Sequence, residues 1–168
     1  MENNFEIEVG EVQQIEIDYS KTPDELIAYF DGEIEKIQKG AREQGNFELV
    51  MLGYAIDFLF FVKEATDIVL DFEEAVIPTF DAVLDALYRN YCEQAPTRED
   101  FEDMVKKATG FLCVVIWKNL GCGYFGSNLG IGVQINGTNA FVMNRVGRRL
   151  QNGSEDDIVS FYNYLKTL

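Results

Sequence analysis

Residues 120–132 read LGCGYFGSNLGIG, five glycines in thirteen positions, and Gly121, Gly123 and Gly126 spell G-x-G-x-x-G. That spacing cradles a dinucleotide when a strand precedes the first glycine and a helix opens at the last. An acid about 20 residues on must then hold the ribose. Neither flank fits. Upstream, Phe101, Met104, Val105, Ala108, Leu112 and Val115 recur at steps of three and four, so a helix opened by Thr97 and Asp100 runs into the glycines. Downstream, IGVQI (131–135) and AFVM (140–143) flank Asn136-Gly137, a hairpin signal because both turn residues tolerate positive φ. No acid occurs between Gly126 and Glu155. The glycines therefore read as a helix terminus at Gly121, turn residues at Gly123 and Gly126, and close-approach positions at Gly130 and Gly132. The fold class that follows is α+β: about five helices with a small antiparallel sheet near the C-terminus.

Working outward, FLCVVIW (111–117) has strand propensity, but the period entering it from Phe101 favours helix. Ile68, Phe72, Val76, Phe80, Val83 and Leu87 share one helical side, with Pro78 kinking that helix or starting a new one. LVMLGYAIDFLFFV (49–62) predicts a central helix reaching about Leu70, apolar on every side. Thr22, Pro23 and Glu25 form a capping box for a helix to about Arg42, with Leu26, Ile27, Phe30, Ile34 and Ile37 on its apolar face. Within residues 1–18, FEIEVGEVQQIEI (5–17) alternates apolar and polar side chains at Phe5, Ile7 and Val9 and again at Ile15 and Ile17, so the segment reads as a strand or extended arm. Ser154, followed by Glu155, Asp156 and Asp157, is expected to cap a last helix that turns Ile158, Phe161, Tyr162 and Leu165 inward. At 168 residues and 47% hydrophobic content, one acidic globular domain spanning residues 1–168 is the expected organisation.

The formal charge of −15 is unevenly spread. Residues 1–103 carry 26 acids and 7 bases, whereas residues 104–154 carry no acid and 6 bases. Such a field repels nucleic acid and steers a basic protein partner. Three cysteines without C-x-x-C spacing give neither a disulfide framework nor a zinc site, and a reducing cytoplasm is expected. The acidic start lacks the basic and apolar regions of a signal peptide. The longest apolar run, fourteen residues interrupted by Asp57, is too short to span a bilayer.

Three constellations carry the functional expectations. Glu64, Asp67, Asp71, Glu74, Asp81 and Asp85 step by three, four, three, seven and four, a stripe about 30 Å long if one helix runs through them. With no histidine in the chain, such a stripe reads as a solvated helix face or a docking face for a basic protein rather than a metal site, and no cofactor is implied. The glycines Gly123 and Gly126, with Arg145, Arg148 and Arg149, form a candidate anion nest. Asp57 sits among Ile56, Phe58 and Leu59 and must be either buried with a partner or the wet edge of its helix. Serine or cysteine nucleophiles would need the missing histidine, so no catalytic residue is assigned.

From GFLCVVIWKNLGCGYFG to the end, the last third of the chain resembles small uncharacterised bacterial domains, some of them thought to be toxin-immunity proteins. The matching positions are Gly121-Cys122-Gly123-Tyr124-Phe125-Gly126, Arg145 and Asn152-Gly153, while Ser127 replaces the acid expected after the turn glycine. The resemblance implies an immunity-like protein, and the acidic charge of residues 1–103 with the missing catalytic apparatus implies a non-enzymatic binding one. Three readings stand: an acidic face docking on a basic partner, an anion or small-ligand domain at the glycines and arginines, and an acidic mimic of nucleic acid. The oligomeric state is left open.

Overall fold

The computed structural model describes residues 47–127 and 130–168. The arm expected over residues 1–18 and the helix expected over 22–42 lie outside the described residues. Among those described, there are five α-helices and a three-stranded antiparallel sheet, which is the α+β arrangement expected.

Helix α1 (Phe47–Thr66) buries most but not all of its surface: Met51, Ala55, Phe58 and Val62 are fully buried, whereas Phe60 is 47% exposed. It stops at Thr66 rather than at Leu70. The Thr66 hydroxyl donates to the Val62 carbonyl and accepts the Ile68 N–H, while Asp67 takes φ 62°. A side chain that offers the backbone a local alternative competes with helical continuation. The loop to residue 73 is anchored on the core by Phe72, whose carbonyl accepts a 2.8 Å hydrogen bond from Asn119.

A 3₁₀ turn (Glu74–Val76) leads into α2 (Ile77–Glu93), which carries Pro78 in its first turn. Proline is favoured there because the first N–H groups of a helix have no intrahelical partner. Pro78 therefore starts a new helix. The next helix, α3 (Arg98–Leu120), opens with the Thr97 side chain accepting the Asp100 N–H at 3.1 Å and ends at Gly121 with φ 72°, as its capping residues predict. Residues Ala108–Ile116 of α3 are wholly buried against α1. Gly110 allows the close approach, since a Cβ there would meet the Tyr54 Cβ and lie 2.7 Å from the Met51 carbonyl oxygen. Phe58, Phe72, Phe80 and Phe111 fill the space between α1, α2 and α3, with Phe111 centred 5.0 Å from Phe80 and 5.5 Å from Phe58.

Strands β1 (Gly123–Ser127), β2 (Gly130–Ile135) and β3 (Thr138–Ala140) pair in that order. Asn136 and Gly137, at φ 48° and 81°, make the expected two-residue turn. Gly123 and Gly126, expected in turns, instead lie in β1 opposite Gln134 and Ile131. The stretch AFVM, expected as a second hairpin strand, leaves the sheet after Ala140. Val142 opens α4 (Val142–Asn152), because Val142, Val146, Arg149 and Leu150 together present one helical face to the core. Residues Gly153–Asp156 form a 3₁₀ turn, so the cap of α5 (Ile158–Leu165) is Asp157, which accepts the Ser160 N–H at 2.7 Å, rather than Ser154. Ile158, Phe161, Tyr162 and Leu165 face inward as expected.

Candidate functional site

The helical period of α4 sorts its three arginines. Arg149 falls on the buried face with Val142, Val146 and Leu150, and only 2% of it is exposed. Its Nε donates to Asp81 Oδ1 at 2.9 Å and one terminal nitrogen donates to Asp85 Oδ1 at 3.1 Å. The same Asp81 oxygen accepts the Ile158 N–H at 2.9 Å. One carboxylate thus ties α2, α4 and the start of α5 together. Burial alone would depress the Arg149 pKa, but the two aspartates outweigh it and hold the guanidinium above its ordinary value. Arg89 closes the group through Asp85 Oδ2 at 2.9 Å.

Arg145 and Arg148 lie off that face and share Asp156. Arg145 Nη1 donates to Asp156 Oδ1 at 3.3 Å, Arg148 Nε stands 3.6 Å from the same oxygen, and Asn152 donates to the other oxygen at 3.1 Å. The Arg145 guanidinium is stacked over the Phe161 ring at 5.0 Å, and its Nε is buried with no hydrogen-bond partner among the described residues. Two positive groups against one carboxylate leave net positive charge and spare donors. They border a cavity of about 470 Å³ that Asn139 of β3, Phe141, Asn144 of α4 and Tyr164 of α5 complete. That volume lies within the range of small-ligand sites, and the mix of aromatic walls with a few convergent polar groups is usual in them.

The sequence-predicted anion nest is therefore split. Gly123 and Gly126 belong to β1, and β2 separates that strand from β3 and the cavity. Arg149 is consumed internally. Arg145 and Arg148 alone remain available, joined by Asn139, Asn144 and Tyr164, which the sequence reading did not single out. Their signal was the i, i+4, i+8 spacing of Val142, Val146 and Leu150, which puts Asn144, Arg148 and Gln151 on the outer side.

The acidic stripe is broken where α1 ends and α2 restarts. Glu64 lies exposed near the end of α1, Asp67 follows it in the loop, and Asp71 accepts the Glu73 N–H at 3.0 Å. Glu74 pairs with Lys166. Asp81 and Asp85 turn toward Arg149, so the six carboxylates do not share one face. Asp57 is half-buried on α1, between buried Ile56 and Phe58. Lys118 pairs with Glu73. Among the described residues no helix is long and apolar enough to cross a membrane. Comparison with protein-family models, with curated proteins and with solved structures gave no match to this chain.

Proposed function

We propose that the chain is a binding protein that takes a carboxylate or phosphate group at Arg145 and Arg148. The observation that carries this reading is the sharing of Asp156 by two guanidiniums at the border of a polar and aromatic cavity. Planar guanidinium donors match the oxygens of such groups, and a site already held in position loses little entropy on binding. Titration with inorganic phosphate and with citrate, followed by thermal melting and calorimetry, tests it. Stabilisation that rises with ligand and is lost in Arg148→Ala is expected, and equal response of both proteins abandons the reading.

A second reading, an immunity-like protein that docks on a basic partner, is favoured by the exposure of Glu64, Asp67 and Asp71 around the end of α1. A cationic peptide that binds with strong salt dependence, and that Glu64→Lys with Asp67→Lys releases, is the expected outcome. Binding unchanged by the reversal rejects this second reading.

A further inference from the structure

The arginine cavity does not end at α4. Asn144 and Arg148, which border it, also border a second cleft of about 450 Å³ whose floor includes Met143 and Gly147. Phe101 and Gln151 of that cleft also border a third, of about 430 Å³, walled by Tyr88, Tyr91 and Leu150. The three clefts follow one another along the outer side of α4, each sharing wall residues with the next, and together are treated as one trough. Its charged lining is Arg98, Lys106, Arg145 and Arg148 with Glu102; Glu102 is paired with Arg98 at 2.8 Å and Asp156 lies 3.3 Å from Arg145 and 3.6 Å from Arg148, which leaves a positive excess around Arg148 and Lys106. Aromatic rings stand at both ends, with Tyr164 52% exposed at one and Tyr91 packed 6.0 Å from Phe101 at the other.

We infer that this trough binds an extended acidic peptide segment of a partner protein, with carboxylates at Arg145, Arg148 and Lys106 and apolar or aromatic side chains in the end clefts. The inference rests on the anion-binding reading above and names the bearer of the anion. A compact small anion needs one cavity, whereas this lining repeats positive and aromatic character along the helix. The eleven residues of α4 span about 16 Å, so about five to seven extended residues cover the trough. Charge complementarity specifies the sign of the partner. Gly147 sits where the peptide would cross, and a Cβ built there meets nothing within 4 Å. A larger side chain at that position obstructs the middle cleft without disturbing the fold.

The test uses the full chain and fluorescein-labelled heptapeptides read by anisotropy: an acidic pool of Glu and Asp with one Tyr or Phe, and its Lys-substituted counterpart. The acidic pool is expected to bind and the basic one not. Binding should weaken steeply between about 0.05 M and about 0.5 M salt. Arg148→Glu, at a side chain 53% exposed, is expected to weaken peptide binding about tenfold or more. Gly147→Leu should do the same to the peptide while phosphate affinity stays within about twofold, with cooperative melting curves showing that both variants fold. Preference for the basic pool, or indifference of the acidic pool to Gly147→Leu, overturns the inference. Phosphate binding that depends on Arg148 without any peptide binding overturns it and leaves the anion-binding reading standing; loss of both refutes the two together.

Discussion

At the scale of single residues, the decisive group is Arg149. A guanidinium with 2% exposure is tolerable only because Asp81 and Asp85 meet it, and removing one partner leaves a buried charge with too few acceptors. Asp81→Ala is therefore expected to cost about 3 kcal/mol in urea denaturation, well above the effect of removing an exposed carboxylate such as Asp67. Arg149 Nη1 still has no hydrogen-bond partner among the described residues, and Tyr162 shares that condition. Its hydroxyl is buried without a hydrogen-bond partner among the described residues. Burial, helped by the nearby Glu74 carboxylate, pushes its phenol up to about 12. The folded state holds that proton more tightly than the unfolded chain does. The resulting stability is complete below the ordinary phenol value, about pH 10, and declines as pH rises toward about 12. Tyr162→Phe should stabilise the protein by about 1 kcal/mol at neutral pH and make its loss of stability between about pH 10 and about pH 12 shallower. Denaturation midpoints across that range check both.

At the scale of elements, α4 is where sequence pattern and structure part and then meet again. AFVM looks like a strand because Val and Phe suit one, yet Val142 opens a helix whose buried face needs positions 142, 146, 149 and 150 together. Burial over eleven residues outweighs the preference of four. Gly147 is the weak point of that helix. Its φ is not in the left-handed region and its Cβ position is open, so Gly147→Ala is expected to raise stability by about 0.5–1 kcal/mol, measured as a higher melting temperature. By contrast, the start of α3 and the β2–β3 turn were legible directly, since Thr97 bonds three residues ahead and Asn136-Gly137 closes its own hairpin.

At the scale of the whole molecule, the stacking of α1 on α3 makes the core and the sheet extends from it. The Tyr124 hydroxyl of β1 donates to the Cys113 carbonyl of α3 at 3.1 Å, joining the two layers. Because Gly110 sits where the helices touch, Gly110→Val would force their backbones apart and should cost about 3 kcal/mol, with chemical denaturation as the measure. The lopsided charge also acquires a structural meaning at this scale. The basic stretch from 104 to 154 supplies Arg149 to bind the acidic α2 internally, and supplies Arg145, Arg148 and Lys106 to an open trough.

The sequence by itself determined the fold class, the termini of α3, the hairpin turn and the inward face of α5, because each depends on groups within a few residues of one another. It also supplied both candidate site sets, as lists of charges. Only the tertiary structure decided which of those charges are spent. Asp81 and Arg149 stand 68 residues apart, and no local pattern relates them. Their pairing follows from the cost of burying an arginine when α4 is laid against α2, and the same packing leaves Arg148 facing outward and Arg145 half-buried beside Phe161.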